Sequence, residues 1–480
     1  MALRAVSTGA CRRHLDTDVL DERSTRRISR QLLFNCRDSQ LEKDGVCDAI
    51  ATQLLREFTD LQQRHGTPLG AGFTKILTSH MNLSPLRHRD YRLLFIAQAV
   101  SSLGTMVTYV ALPYHMYALT GSSLSVGLLG AAELGPLLAV AFLGGALADS
   151  VDRRRVSLLT DLGLTAGSLA LAMLAVSQSS PGLLYVLAGW MAAVGALQRP
   201  SMEALVPRLV PSEDIPAVAA LRTLVGSLAM IAGPALGGVL IAAGGLRSAY
   251  LVDAASYGIS LICLWQIRRV PPADDVENPS VAAVMEGLRY ARSRQELVGT
   301  YVVDFVAMVF GMPLALFPAM SGTLGGPAVL GWLYAAPAVG ALVASLTSRW
   351  TLRVTRHGLG VLTAAAIWGI AIVGFGFSHS IGPALGWLVL AGGADGMSGM
   401  FRMTMWNQTI PDAFRGRLAS IEMVSYSSGP LLGHLEAGLV ATLTSVRTAV
   451  ISGGTLCIAG VVLCGLLLPR FVAYDARAPE

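Results

Sequence analysis

The stretch GGALADSVDRRRV, from Gly144 to Val156, places an aspartate and then a run of three arginines directly after a long apolar segment. That apolar segment is long enough to cross the hydrocarbon of a bilayer, which takes about 20 mostly apolar residues in a helix. Another apolar segment begins as soon as the arginines end. This pattern is typical of a short basic loop between two membrane-spanning helices.

The composition of the whole chain agrees with this interpretation. Of the 480 residues, 53% are hydrophobic and only 14% are charged, which is more apolar material than a soluble core of ordinary size can bury. The sequence therefore predicts an all-α integral membrane protein with about twelve transmembrane helices. The candidate spans lie near residues 92–117, 124–148, 156–177, 183–205, 217–243, 248–267, 297–320, 328–349, 358–378, 383–406, 418–443 and 447–468.

The loops between these spans alternate in charge. Arginines gather in every second connection, as at Arg153–Arg155 and Arg349, whereas the intervening loops carry almost only Arg247 and Arg447. Basic loops stay on the cytoplasmic side of a membrane. The alternation thus predicts a multi-pass protein of the inner or plasma membrane with both termini in the cytoplasm.

The chain also divides into two similar halves. Sliding one half along the other by 200 residues aligns Pro211 with Pro411 and Gly238 with Gly438. This common offset favours two parallel six-helix repeats, a layout found among transporters. The predicted segments are a polar cytoplasmic extension (1–80, disordered or a wrongly assigned start), an N-terminal half (81–270), a cytoplasmic linker with an amphipathic helix (271–296), a C-terminal half (297–470) and a cytoplasmic tail (471–480).

Two motifs resemble those of a known superfamily. GALADSVDRRR, Gly145–Arg155, resembles the loop signature of the major facilitator superfamily, with Ser150 and Asp152 where that pattern has Arg and Gly. GPALGG, Gly233–Gly238, resembles the antiporter signature of its exporters, with Ala229 in place of the leading Gly. The resemblance implies the two-half fold of that superfamily and favours efflux.

Two longer stretches resemble a narrower group. LYAAPAVGALVASLTS, Leu333–Ser348, and the stretch Ile410–Val440 are similar to the enterobactin exporter-like branch, whose members export siderophores, antibiotics and other amphiphilic compounds. The resemblance covers about residues 81–470. It implies a substrate site between the two halves and transport by rocking of one half against the other.

The charges of the opening stretch predict a gate. The aspartate can reach a neighbouring helix N-terminus and the arginines, and such a contact can hold the halves together in one state. The alternative is that the arginines only set the topology. The candidate gating loop comprises Gly145, Asp149, Arg153, Arg154 and Arg155.

The glycine motif predicts a bent helix at the interface between the halves. Small residues let two helices approach closely, and proline opens the hydrogen-bond ladder of its own helix. The residues concerned are Gly233, Pro234, Gly237 and Gly238. General helix packing in the membrane is the alternative.

Carboxylates inside spans give the sharper hypotheses, because an ionised side chain near the bilayer centre costs roughly 2.5–3.5 kcal/mol on insertion scales. Glu133 and Asp304 are central in spans that line the cavity of this superfamily, so they are the candidate proton or substrate sites. A structural hydrogen bond between helices is the alternative for both. His115 and His434 are lone histidines, which more often bond a local partner than relay a proton.

Other intramembrane charges receive weaker assignments. Asp161 and Asp253 lie near the ends of their spans, so we expect them to be solvated at the interface. Asp395 and Arg402 share one half of the tenth span and are expected to pair. Glu422 is a further secondary candidate.

Several function classes are excluded. The chain has no lysine after Lys75 and so no phosphate-binding loop, no cluster with metal-ligand spacing and no nucleophile with a sequence-supported base. We therefore expect no enzyme activity, no cofactor and no metal. The basic charge comes almost wholly from arginines at span ends, which gives no indication of nucleic-acid binding.

The sequence as a whole predicts a secondary active transporter. Its expected activity is proton-coupled export of an amphiphilic small molecule, a siderophore or a drug-like compound, by a monomer in the lipid bilayer. Two alternatives stay open: a small-molecule importer of the same fold, and a non-transporting membrane sensor or scaffold that recruits a partner through residues 1–80.

Overall fold

The computed structural model describes residues 82–149, 152–177, 180–268 and 281–477. The predicted extension over 1–80 lies outside these ranges, as does the first part of the linker. The described residues form α-helices and short 3-10 turns, with no β-strand among them.

The first half contains six helices. A single helical stretch, Ile215–Gln266, is broken at Gly245, whose φ of 71° is not helical, so it contributes two of them: α5 before the break and α6 after it. The other four are α1 (Arg89–Thr120), α2 (Ser123–Asp149), α3 (Arg153–Ser177) and α4 (Pro181–Leu209).

The second half follows a short amphipathic helix, α7 (Val281–Ser293), within the predicted linker. Its helices are α8 (Gln295–Phe310), α9 (Phe317–Leu324), α10 (Pro327–Leu346), α11 (His357–Gly376), α12 (Ile381–Thr409), α13 (Asp412–Leu443), α14 (Val446–Leu467) and the short α15 (Pro469–Ala473).

Length and composition make most of these helices membrane-spanning. Within the described ranges, nine helical segments are long and apolar enough to cross a bilayer, and one of them contains both α5 and α6. The helices α12 and α13, with 29 and 32 residues, also have spanning length. The predicted fold class, an all-α membrane protein with about twelve spans, is confirmed.

Local sequence signals explain where the helices begin and end. The hydroxyl of Ser180 accepts a hydrogen bond from the backbone N–H of Gly182 at the start of α4, and Ser445 does the same for Thr448 before α14. Hydroxyl side chains at this position satisfy N–H groups that the helix itself leaves free. The helix α1 ends at Gly121, whose φ of 63° few other residues adopt.

The seventh span differs from the expected continuous helix over 297–320. It is broken after Phe310, and α9 begins only at Phe317. Trp368 of α11 fills the break: its ring nitrogen donates a hydrogen bond of 2.8 Å to the carbonyl oxygen of Gly311. Hydropathy cannot reveal this interruption, because both sides of the break are apolar.

The first residues of the predicted C-terminal tail pack against the second half. Phe471 is fully buried, and its ring lies against Gly299 of α8. The backbone N–H of Ala476 donates a hydrogen bond of 2.9 Å to the carbonyl oxygen of Thr355. This segment therefore belongs to the folded bundle.

The two halves contact each other most extensively along two helix pairs, α2 with α13 and α5 with α10. Both pairs cross through glycines. The Cα of Gly438 lies against Gly127, and a Cβ atom at Gly238 would be 2.7 Å from the backbone nitrogen of Gly331. Since Gly238 and Gly438 align in the internal repeat, the two crossings are equivalent positions of the two halves.

These glycine crossings lie near one end of the bundle. We call the end that carries the loop before Arg153 the basic end, and the other end, which carries Gly121 and Gly245, the far end. Gly127 is in the second turn of α2 from the far end, and Gly438 is close to the last turn of α13. The halves are thus joined backbone to backbone at the far end.

We expect Gly238→Ala to weaken the crossing between α5 and α10. The added methyl group would lie 2.7 Å from the Gly331 nitrogen and 2.9 Å from its Cα, and backbone atoms cannot rotate away, so the helices must separate. Overpacking of this kind costs about 1–3 kcal/mol, which thermal unfolding of the purified protein should show as a lower Tm. The matched control is Gly258→Ala on α6, where nothing lies within 4 Å of the added methyl. Equal Tm values for the two variants would contradict the role given to the crossing.

Candidate functional site

A cavity of about 830 Å³ lies in the bundle, mainly between α1, α2, α4 and α5. Leu314, Tyr334 and His434 of the second half complete its wall. Binding sites for drug-sized molecules enclose roughly 300–1,000 Å³. The cavity therefore has the size of a small-molecule site and is bordered by both halves.

The wall of the cavity is amphiphilic. One face of α1 supplies a polar strip, because Gln98, Ser101 and Thr105 recur at helical spacing and all line the cavity. Apolar residues surround this strip, and long flexible side chains among them suit ligands of varied shape. The methionines of the wall are Met106, Met191, Met202 and Met230.

Three charged residues line the cavity. Glu133 is half-buried in the middle of α2 and forms no hydrogen bond or ion pair with the described residues. Arg199 and Arg222 lie nearer the basic end and share Glu203, with nitrogen–oxygen distances of 3.7 and 2.9 Å. The cavity thus contains one unpaired acid, Glu133, in its deeper part. The two arginines of the cavity lie nearer the basic end and are already paired with Glu203.

Asp304 does not line this cavity. It lies on α8, where its carboxylate forms an ion pair with Arg402 of α12. On the other side of the guanidinium, Asp395 is 4.0 Å from Nη2. The expected pairing of Asp395 with Arg402 is present, but the closer partner of Arg402 is Asp304.

This charge cluster encloses its own small space. Asp304, Asp395 and Ser398 line a chamber of about 10 Å³, a volume that holds roughly one water molecule. Arg402 is 9% exposed, and its Nε atom has no hydrogen-bond partner among the described residues. Glu422 of α13 interacts electrostatically with the same guanidinium. Two carboxylates therefore contact one buried arginine, and a third acts on it at longer range.

Comparison with known proteins agrees with this architecture. Residues 80–479 match the family model described as a transmembrane secretion effector, within the major facilitator superfamily. The chain belongs to the transmembrane secretion effector family. Its members are transporters and not enzymes, so the resemblance drawn from the motifs is confirmed.

Curated relatives are exporters. The enterobactin exporter EntS of Shigella boydii serotype 18 is 29% identical over 405 residues, which cover 83% of this chain and 97% of that protein. The enterobactin exporter EntS of Escherichia coli O1:K1 is 28% identical over 407 residues, with the same coverage.

Solved structures show the same fold. The nucleoside transporter NupG has a TM-score of 0.61 at 14% identity, covering 79% of this chain and 98% of that one. A bacterial homologue of the iron transporter ferroportin in an inward-facing state has a TM-score of 0.62 at 15% identity, covering 81% and 99%. At these identities the likeness concerns the fold alone.

The loop after the second span of this secretion-effector chain is only partly described. Gly145 and Asp149 belong to the last turns of α2, and the side chain of Asp149 lies outside the described part. Arg154 donates a 3.0 Å hydrogen bond from Nε to the carbonyl oxygen of Leu264 at the end of α6, and a second one to Trp265. In this conformation Arg154 therefore binds the C-terminus of a helix in its own half, where a cation is favoured.

The neighbours of Arg154 complete this basic loop. Arg155 lies 3.9 Å from Asp152, also in its own half. Arg153 begins α3. In this conformation the described polar contacts of Arg154 and Arg155 thus stay within the first half and do not form the expected contact between the halves.

The residues of the GPALGG motif do bring helices together. Gly233 faces Met106, and Gly237 lies against the backbone of Val107, so α5 packs closely on α1. Gly238 makes the crossing with α10 described above. Pro234 is inside the helical stretch, and its carbonyl oxygen lies at the same crossing.

The expectation for Asp161 and Asp253 is wrong. Both carboxylates are fully buried, not solvated at the interface. Asp161 accepts a hydrogen bond from Gln198, and Asp253 accepts hydrogen bonds from Thr108 and Ser168. The distance of a residue from the end of its span indicates its depth in the membrane. Whether its side chain faces the surroundings or the interior of the bundle depends on how the neighbouring helices pack, which that distance does not give.

The histidines also have defined places. His115 is 3% exposed, and its Nδ1 lies 3.1 Å from the hydroxyl of Tyr250, the local partner expected. His434 lines the cavity, and its Nε2 has no hydrogen-bond partner in the described part of the chain.

We expect Arg402→Met to destabilise the protein, because it leaves Asp304 charged and almost buried without its partner. Removing one member of a buried ion pair costs about 3–5 kcal/mol. The double variant Arg402→Met with Asp304→Leu should recover part of that loss, since Asp304 is then no longer left as a buried unpaired charge. Thermal unfolding of the wild type, both single variants and the double variant in detergent gives the coupling energy.

The matched control for this cycle is Arg199→Met. The Arg199 side chain is 79% exposed and pairs with Glu203 at 3.7 Å, so its loss should change the stability by less than about 1 kcal/mol. A cycle in which the Arg402 and Asp304 effects simply add would show that the two side chains are not coupled.

Proposed function

We propose that this transporter exports an amphiphilic small molecule, a siderophore or a drug-like compound, across the cell membrane in exchange for protons. The observation that carries the proposal is the cavity of about 830 Å³, which is bordered by both halves, while the glycine crossings join the halves near the far end. Alternating access requires a central cavity between two halves that opens to one side at a time.

The orientation follows from the arginines. Basic loops remain cytoplasmic, so the proposal takes the basic end as the cytoplasmic end, with both chain termini on that side. The cavity reaches the first turns of α5 at this end, where Ala219 and Arg222 line it. This conformation thus offers the cavity to the cytoplasm, the state in which an exporter takes up its substrate.

The wall favours an amphiphilic substrate. A molecule with an apolar body can pack on the methionines, while its hydrogen-bonding groups face the strip of Gln98, Ser101 and Thr105. Glu133 adds a carboxylate at the inner end of this strip. The curated relatives, named as enterobactin exporters, support a siderophore as one member of the substrate class.

Glu133 and Asp304 are the proposed proton carriers, and they work differently. Glu133 lies in the cavity, so a bound substrate and a proton can compete for it. Asp304 is paired with Arg402, and its protonation would remove the closest partner of the guanidinium. Arg402 can then pair with Asp395, which is 4.0 Å away on the same helix. The ion pair that links α8 with α12 is thereby lost.

Alternating access then requires the far end to open. The two glycine crossings hold the halves by backbone contact, so rocking of one half separates them without breaking an ion pair there. In the opposite state the cytoplasmic side closes, and the loop with Asp149 and Arg153 is the proposed contact. The unit that moves is one monomer with halves over 81–270 and 297–470, joined by the linker that contains α7.

Transport into inverted membrane vesicles tests the proposal. Energised vesicles that contain the wild type should accumulate members of a panel of siderophores and lipophilic drugs, and a protonophore should abolish accumulation. Asp304→Asn and Glu133→Gln should each lower the uptake at least tenfold at equal protein level, because neither amide can carry a proton.

Glu436→Gln on α13 is the matched control, since Glu436 is half-buried but does not line the cavity. It should transport like the wild type. Uptake that is insensitive to the protonophore would contradict proton coupling. Accumulation only in right-side-out vesicles would establish import instead, and no uptake in either orientation for any compound would favour a scaffold.

A further inference from the structure

Asp253 of α6 is a buried acid with no role in the mechanism above. It is fully buried, and its Oδ2 accepts hydrogen bonds from the hydroxyls of Thr108 on α1 at 2.6 Å and Ser168 on α3 at 2.7 Å. Its other oxygen, Oδ1, has no partner among the described residues. Three helices therefore converge on one carboxyl group and leave half of it unsatisfied.

No cation faces this carboxyl group within the described helices. From α1 it meets Thr108 and Gly104, from α3 Ser168, and from α6 the residues one turn away, Tyr250 and Ser256. Among other titratable groups, Tyr257 is within electrostatic range of both Asp253 and Asp161, and His115 contacts Tyr250. An ionised carboxylate without a counter-ion is expensive in such a place, whereas a protonated one is neutral.

The backbone of α1 encloses the unsatisfied oxygen. A Cβ atom at position 104 would lie 2.7 Å from Oδ1 of Asp253 and still closer to the hydroxyl oxygen of Ser256, so only glycine allows α1 to pack this closely. Oδ1 is therefore enclosed without a hydrogen-bond partner among the described residues. A proton can bind there, since it needs no coordination shell.

Polar groups lie on both sides of Asp253, toward the cavity and toward the far end. Toward the cavity, Thr108 itself lines the wall, so one hydroxyl separates the acid from the cavity. Toward the far end, Tyr250 lies one turn before Asp253 on α6, and its hydroxyl is 3.1 Å from Nδ1 of His115. His115 is in the second turn from the end of α1.

We propose that Asp253 is a proton-binding site of the N-terminal half, loaded from the far end by way of His115 and Tyr250 and discharged into the cavity past Thr108. Loading adds one proton to Oδ1, so the carboxylate becomes a neutral acid. Discharge returns that proton to water in the cavity and restores the negative charge. The inference rests on the proposed proton coupling, to which it adds a route that avoids the closed glycine crossings.

The site is peculiar to the first half. In the internal repeat, Asp253 aligns with Gly453, so the second half has no equivalent acid. The second half instead holds Asp304 against Arg402. A proton at Asp253 has no guanidinium to displace, and its binding changes charge without rearranging an ion pair.

Infrared difference spectroscopy of the full-length protein in detergent tests the site without a transported substrate. Stepping the pH should reveal a carbonyl stretch of a protonated carboxylic acid that appears and disappears reversibly. This band should be lost in Asp253→Asn and retained in Asp161→Asn, the matched change of the other buried acid of this half. Glu133 and Asp304 can contribute titrating bands of their own, so the readout is the difference between the variant and the wild type. A pH-difference spectrum of Asp253→Asn that matches the wild type would overturn the proposal.

A second variant tests the route and avoids the risk that Asp253→Asn fails to fold. Tyr250→Phe keeps the ring but removes the hydroxyl that faces His115. In proteoliposomes whose protein has its far end outward, a pH jump outside should load Asp253 at least tenfold more slowly in this variant, with the same final band intensity. Equal rates would refute loading through Tyr250.

The outcomes separate this inference from the proposed function. Protonophore-sensitive transport that Asp304→Asn abolishes but Asp253→Asn leaves intact, together with no Asp253 band, would refute the site and keep the function. A titrating Asp253 band in a protein whose transport ignores the protonophore would refute proton-coupled export and leave the site as a proton-binding group.

Discussion

Backbone contact between glycines is the constraint on which the rest of the structure depends. Gly127 meets Gly438 and Gly238 meets Gly331 at the far end, so the halves approach as closely as two helices can. Such a contact is stiff in the closed state, because no side chain can yield, yet its separation leaves no buried charge unpaired. The cavity lies between helices that these crossings bring together.

The two halves share the same helix arrangement, but their buried acids have different partners. In the second half, Arg402 compensates Asp304 and stands within reach of Asp395. In the first half, only hydroxyl groups bind Asp253. The helix crossings occupy equivalent positions in the two repeats, whereas the buried charged residues do not. The same helix arrangement therefore holds an ion pair in one half and an acid bound only by hydroxyl groups in the other.

Much of the fold could be predicted from sequence, because each span carries its own apolar signal. The break after Phe310 could not, since it depends on Trp368 of another helix. The location of Glu133 in the cavity agrees with what its central position suggested. The ion pair of Asp304 with Arg402 could not be predicted, because hydropathy gives the depth of a side chain but not the neighbour it faces. The burial of Asp253 was missed for the same reason, although the serines and threonines at helical spacing on α1 and α3 gave a signal for it.

The segment that follows α14 has a consequence for the order of assembly. Phe471 packs against Gly299 of α8, and the backbone of Ala476 is hydrogen-bonded to Thr355. Both contacts join residues that are far apart in the sequence. The packing of α8 is therefore complete only once the segment after α14 has been synthesised and has docked, although α8 itself enters the membrane much earlier.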